Sequence, residues 1–192
     1  MSKLRVIAGT AKGRRLKMVP GSTTRPISDR VKEAVFNILG RGVSGSRFLD
    51  LFAGTGSVGI EALSRGAAYV RFIEKSRKAV ATIVENLEAT GFRDRANVVH
   101  SDVFRELEVG ETVGFDYVYV APPQYQDLWK QTLLMLDKHP DWVYPDGLIL
   151  VQIDPKEYQE IEPSHFQVID RRRYGNTAVH IYEKSSDLIV GA

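Results

Sequence analysis

The chain of 192 residues has no cysteine. That excludes disulfides, thiolate metal centres, iron–sulfur clusters and a cysteine nucleophile. No apolar run approaches the roughly 18 residues a membrane-spanning helix needs. Lys3 and Arg5 are not followed by the apolar core of a signal peptide. Its four histidines (His100, His139, His165 and His180) are scattered without metal-ligand spacing, so no metal is expected. Internal repeats and low-complexity stretches are also missing. What is present, 43% hydrophobic and 26% charged residues, belongs to a globular chain rather than a disordered or fibrous one. The length fits one domain of ordinary size. The expectation is a soluble, cytoplasmic, monomeric protein with no membrane partner.

Acidic residues are almost missing from the beginning of the chain. Residues 1–32 carry nine Lys/Arg against a single acid, Asp29, and the remainder carries 17 bases against 23 acids. The near-neutral total of +2 is therefore a cancellation between a basic arm and a mildly acidic body, the asymmetry of a protein that grips a polyanion. A solvated tail is the plainer alternative, but this arm is not low in complexity. Leu4, Val6, Ile7 and Ala8, then Leu16, Met18 and Val19, predict two short strands around a Gly9–Gly13 turn. Such a hairpin places Lys12, Arg14 and Arg15 at its tip. The arm is expected to end near residue 25, giving segments 1–25 and 26–192.

Pro26 and the Ser28/Asp29 pair are helix-start chemistry. Val31, Ala34, Val35, Ile38 and Leu39 then recur at helical spacing up to Gly40. Beyond it, strand-like runs at 47–52, 69–73, 97–100, 115–120 and 148–153 alternate with helical patterns at 58–63, 79–87 and 129–136. That alternation predicts an α/β, Rossmann-like, mostly parallel sheet with helices on both faces. The tail, 166–169 and 178–182 around Gly175-Asn176, predicts a hairpin with at least one antiparallel edge strand.

Between the first strand and the next helix, Gly54, Gly56 and Gly59 spell G-x-G-x-x-G. This spacing lets backbone N–H groups approach a ligand at a helix N-terminus. Nucleotide, flavin and methyl-donor enzymes all use such turns. Asp50 at the strand end would repel a pyrophosphate, whereas it suits a cationic ligand such as S-adenosylmethionine; otherwise it caps the loop. Glu74 ends the second strand about 20 residues past the glycines, where an acid accepts ribose hydroxyls of either NAD or an adenosyl donor. Asp102, after the third strand, can accept from an adenine amine, with Val103 and Phe104 near the ring.

The fourth strand leads into Ala121-Pro122-Pro123-Gln124-Tyr125, at the carboxyl edge where open α/β sheets place their sites. The glycine loop, Glu74, Asp102 and this Pro-Pro together resemble class I S-adenosylmethionine-dependent methyltransferases of the exocyclic-amine type. The resemblance narrows at the run from Arg25 to Glu33, at Phe36-Asn37, at the run from Asp50 to Gly66, at the basic opening from Arg5 to Leu16 and at Arg173-Tyr174-Gly175. These are similar to the bacterial 16S rRNA (guanine-N2) methyltransferase family, over about residues 4 to 183.

The resemblance implies methyl transfer to a guanine N2 of the small ribosomal subunit. It implies cofactor contacts from Asp50, Phe52, Gly54, Gly56, Glu74, Asp102 and Val103. For the RNA, contacts are expected from Lys12, Arg14 and Arg15 of the basic arm, and from Arg25 and Arg30, which flank the first helix, unless those two form a structural pair. Catalysis falls to the segment Ala121, Pro122, Pro123, Gln124 and Tyr125. There the family pattern is Asp or Asn, Pro-Pro, then an aromatic. Ala121 stands in place of the acceptor and Gln124 in place of the aromatic. The backbone carbonyls of Ala121 and Pro122, the Gln124 amide and the Tyr125 ring are the groups present to take over. The rivals are an NAD(P) oxidoreductase, a DNA adenine-N6 methyltransferase, and an RNA-binding protein that keeps a cofactor pocket with little catalysis. Arg171-Arg172-Arg173 is either a further phosphate contact or a solvated edge that blocks strand pairing.

Overall fold

The computed structural model describes residues 4–21, 26–110 and 113–185. The chain divides into two compact units, Met1–Asp102 and Val103–Ala192.

In the first unit, helix α1 (Asp29–Leu39) starts where Ser28 accepts the amide of Val31, carries Asp29 in its first turn and stops at Gly40. It buries Val31, Val35, Phe36 and Leu39, and Phe36 stacks on Phe48 at 6.2 Å. Strand β1 (Arg47–Leu51) is followed by α2 (Ser57–Ser64), β2 (Tyr69–Glu74), α3 (Arg77–Thr90) and β3 (Ala96–His100). The strands pair in parallel in the order β3-β2-β1. Every residue of α2 is buried, which is why it reads as an apolar run without a polar face. Helix α3 is capped by Ser76 and ends at the left-handed Gly91.

The second unit holds α4 (Val103–Val109), β4 (Phe115–Val120), α5 (Leu128–Lys138), β5 (Val143–Ile153), β6 (Phe166–Tyr174) and β7 (Thr177–Lys184). Strands β4 and β5 are parallel, while β7 lies antiparallel between β5 and β6. Trp142 is buried against Phe115 at 6.1 Å, and its indole N–H donates to the Leu107 carbonyl at 3.1 Å. The α/β class, the mostly parallel pairing and the antiparallel C-terminal pair are as expected.

Three local features differ from expectation. The arm contains one antiparallel bridge, Arg5 to Arg15, rather than two strands. Its amides at Ile7, Ala8, Thr10 and Ala11 bond to α2 instead of to the opposite arm segment. Strand β5 begins at Val143, not Leu148; Asp146 (φ 61°) and Gly147 interrupt its register and break the apolar pattern. The segment after Asp102 is the helix α4, too short for its periodicity to register.

Candidate functional site

The glycine loop leaves β1 through backbone that few residues adopt. Phe52 has φ 61°, Gly54 φ 55° and Gly56 φ 75°. A non-glycine residue at φ > 0 marks a position that its surroundings must enforce. The three glycines are needed for different reasons. A Cβ at Gly59 would sit 2.3 Å from Phe72, so the third glycine lets α2 close on β2. A Cβ at Gly56 would lie 3.2 Å from Ile83. Gly54 has open space instead, with the Phe52 carbonyl at 4.0 Å as the nearest neighbour. The first glycine thus leaves bare backbone beside free volume, the cradle a ligand requires.

Two acids hold this loop. Glu74 accepts the amide of Gly54 at 2.9 Å through one carboxylate oxygen and that of Ser76 at 2.8 Å through the other. Each oxygen keeps a second lone pair, so the group that fixes the loop can also accept ribose hydroxyls. Asp50 is 2% exposed and accepts the amide of Gly59 at 3.0 Å. Burial pushes its carboxyl up to about 8, against the lowering effect of the Gly59 amide, and Glu74 raises it further. A carboxyl kept from ionising by burial would be ionised by a cation brought against it. Asp102 is exposed at the end of the unit, and Val103 is buried at the start of α4.

A network of buried polar side chains ties the arm to this loop. Glu61 of α2 is fully buried and accepts the amides of Ile7 at 2.8 Å and Ala8 at 2.9 Å. It also pairs with Arg65 at 2.8 Å and with Lys32 at 3.5 Å. Lys32, one of the bases expected to grip a polyanion, is fully buried. Its ammonium donates to the Arg5 carbonyl at 2.7 Å and to the Ser57 hydroxyl at 3.1 Å. Burial lowers its pKa and Glu61 opposes that. Two signals were available: Glu61 is the one charge in the apolar run of α2, and Lys32 lies in line with Val35 and Leu39. Asn86 of α3 is the third tie. It accepts the Lys17 amide at 2.7 Å and donates to the carbonyls of Lys17 at 3.1 Å and Thr55 at 3.0 Å.

Of the arm's other cations, Arg5 pairs with Asp29 at 3.0 Å and Lys17 with Glu85 at 2.8 Å. Lys12, Arg14, Arg15 and Arg30 are exposed, and Arg25 lies outside the described residues. Beneath the tip, Leu4, Val6, Ala11 and Leu16 are buried.

In the second unit, Ala121 and Pro122 are half-buried at the end of β4, while Pro123, Gln124 and Tyr125 are exposed. Tyr125 has φ 62° and stands 67% exposed. Its hydroxyl donates to Asp154 at 2.7 Å and its amide to Glu157. Asp154 is held below the usual carboxylate range, first by the Lys156 amide and then by the Tyr125 hydroxyl. Neither acid was found from sequence, since they lie 29 and 32 residues beyond the tyrosine. On β6, Arg172 pairs with Asp170, whereas Arg171 lies 5.3 Å over the Tyr158 ring and Arg173 donates to the Gly175 carbonyl. Among the described residues no cluster of three or more His, Cys, Asp or Glu could hold a metal ion, and no helix is long and apolar enough to cross a membrane.

The family described as Conserved hypothetical protein 95 matches residues 4–183. The chain belongs to this family. YlbH of Bacillus subtilis is 39% identical over 184 residues, which is 94% of this chain and 99% of that one. The ribosomal RNA small subunit methyltransferase D of Haemophilus influenzae is 32% identical over 183 residues, 94% of each chain. Among solved structures, yhhF of Escherichia coli superposes with a TM-score of 0.85 at 31% identity, covering 96% of this chain and 99% of its own. The fold of this family member is that of the class I methyltransferases.

Proposed function

We propose that this chain transfers the methyl group of S-adenosylmethionine to the exocyclic N2 of a guanine in small-subunit ribosomal RNA. One observation carries the cofactor half: an open backbone cradle at Gly54 whose amide is held by Glu74, with the buried carboxyl of Asp50 behind it. The Haemophilus relative, named for small-subunit rRNA methylation and matching 94% of this chain, together with the basic arm, supports the RNA half.

When bound, S-adenosylmethionine supplies an electrophilic methyl on a sulfonium, and the rest is the work of this chain. Glu74 accepts ribose hydroxyls, Asp102 an adenine amine, and Asp50 the ammonium, with Phe52, Gly56 and Val103 shaping the walls. Lys12, Arg14, Arg15, Arg25 and Arg30 contact phosphates, so segment 1–25 serves as the RNA arm and 26–192 as the methyltransferase domain. The carbonyls of Ala121 and Pro122, with the Gln124 amide, accept from the target amine and orient its lone pair. Pro123 stiffens that segment, and Tyr125 stacks on a base turned out of its helix. Catalysis is mostly positioning, in a cytoplasmic monomer.

Ala121, which has no side-chain acceptor, favours a second reading in which the chain binds cofactor and RNA without turnover. Tritium-methyl transfer separates the two, using unmodified small subunits, naked rRNA and duplex DNA as substrates, followed by mapping of the labelled base. Label on one guanine N2 is expected. Subunit and cofactor binding without label would establish the second reading, and label on DNA adenine would overturn both.

A further inference from the structure

We propose that Asn86 is a positioning residue that makes docking of the N-terminal arm and binding of cofactor at the glycine loop one linked equilibrium. Its premise is that the glycine loop is the cofactor site. Asn86 is 1% exposed, and three of its hydrogen bonds reach two places that are far apart in sequence. It holds both the amide and the carbonyl of Lys17, at the returning end of the arm. Its remaining bond goes to the Thr55 carbonyl, between the two glycines that bound the ligand cradle.

One side chain therefore satisfies both segments. If the arm lifts, the amide loses two partners inside a buried site and gains rotamers that let go of Thr55. If Thr55 shifts, the orientation that serves Lys17 loses its anchor. A buried amide that is half satisfied is costly, so the two contacts form and break together. A second tether reinforces the first on the other side of the arm: the Lys32 ammonium bridges the Arg5 carbonyl to the Ser57 hydroxyl, the first residue of α2 after the loop. Both ends of the arm hairpin are thus bonded through buried side chains to the residues flanking Gly56.

The loop needs such ties because three of its residues (Phe52, Gly54 and Gly56) sit at positive φ. A ligand that packs against the loop backbone and bonds Glu74, which holds the Gly54 amide, selects the loop geometry that Asn86 also selects. By reciprocity, cofactor then holds the arm down, and whatever occupies the arm tightens cofactor by the same factor.

The test is amide hydrogen exchange on the full chain with and without S-adenosylhomocysteine, paired with calorimetric affinities for wild type, Asn86→Ala and Lys17→Ala. In the wild type the ligand should slow exchange of residues 52–57. It should also slow Ile7, Ala8 and Lys17 by about fivefold, the equivalent of one hydrogen bond. In Asn86→Ala, protection of 52–57 should persist while the ligand-dependent protection of Lys17 is lost, that of Ile7 and Ala8 being left to the Lys32 tether, and affinity should fall by about fivefold. Lys17→Ala, which keeps the backbone bonds and removes only the surface pair with Glu85, should retain both. Unchanged arm exchange in the ligand-bound wild type would overturn the linkage and leave the cofactor site standing. So would ligand-dependent protection of the Lys17 amide surviving in Asn86→Ala, since that is the arm amide Asn86 itself holds. Absence of protection at 52–57 would instead remove the cofactor site, and the linkage with it. The wild-type measurement stands even where Asn86→Ala does not fold.

Discussion

Replacing Asp50 with asparagine should leave the fold intact, abolish a pH dependence of stability and weaken cofactor binding. The carboxyl is buried at the end of β1 and accepts the Gly59 amide; an asparagine carbonyl can accept the same bond. Burial moves the folded pKa from 3.8 to about 8. Between those values the folded protein keeps a proton that the unfolded chain has released. Stability must therefore fall as pH rises through this window, and level off above about 8. A tenfold change in proton affinity is worth about 1.4 kcal/mol, so the whole displacement amounts to about 6 kcal/mol as an upper figure. Asparagine does not titrate. The stability difference between Asp50→Asn and wild type, from urea unfolding at successive pH values, should grow from near zero at about pH 4 to several kcal/mol at about pH 8, in favour of the variant. Cofactor binding should go the other way. A bound ammonium stabilises the ionised carboxyl, so wild-type affinity for S-adenosylhomocysteine should rise with pH towards about 8, with release of a proton. The variant should bind about 10- to 100-fold more weakly and without that dependence, at about 1.5–3 kcal/mol for a charged hydrogen bond. A stability difference that stays flat across this range would refute the reasoning, because the carboxylate would then already be ionised in the folded state.

Gly9→Ala places a Cβ 1.8 Å from the Ser64 carbonyl at φ 80°, so the arm should undock, with a loss of about 3 kcal/mol and faster tryptic cleavage at Arg14 and Arg15. Glu61→Ala leaves the Lys32 ammonium buried without its carboxylate, and thermal unfolding should register about 3–5 kcal/mol; pairing it with Lys32→Met should recover only the part due to the unpaired ammonium, because the Ile7 and Ala8 amides still lack their acceptor. Tyr125→Ala should raise the KM for the ribosomal subunit by about tenfold with little change in kcat, as expected for lost base stacking, while Tyr125→Phe should retain the parental KM. Ala121→Asp should raise kcat in methyl transfer if a side-chain acceptor is what the parent lacks, and an unchanged kcat would assign that task to the backbone carbonyls.

Gly54, Gly56 and Gly59 could be read from the sequence because each answers a local demand, a positive φ at Gly54 and Gly56 and contact with β2 at Gly59. Glu74 was legible too, as its place is set by its distance from those glycines along two adjacent strands. Lys32 and Glu61 were misread or missed because a count of charges treats every ion as exposed, and the burial of this pair depends on a fold that brings α1, α2 and the arm together. Asn86 gave no signal, since one asparagine among the polar residues of α3 looks like surface until its partners at Lys17 and Thr55 are in place. Asp154 and Glu157 escaped for a similar reason: their contacts with Tyr125 span the whole of α5 and β5. The arm's strands shrink to a single bridge because, among the described residues, only the amides of Val6, Gly13 and Leu16 bond across the hairpin, while those of Ile7, Ala8, Thr10 and Ala11 go to α2.

The way Glu61 and Ser64 hold the arm has a practical side. They grasp main-chain amides, and the anchoring side chains Leu4, Val6, Ala11 and Leu16 are all buried. The side chains of Lys12 and Arg15 at the tip are exposed and stand outside that grip. The tip is an exchangeable head on a fixed mount. If the tip contacts RNA as proposed, its charges can be reversed or thinned out to weaken rRNA binding with the attachment beneath left as it is.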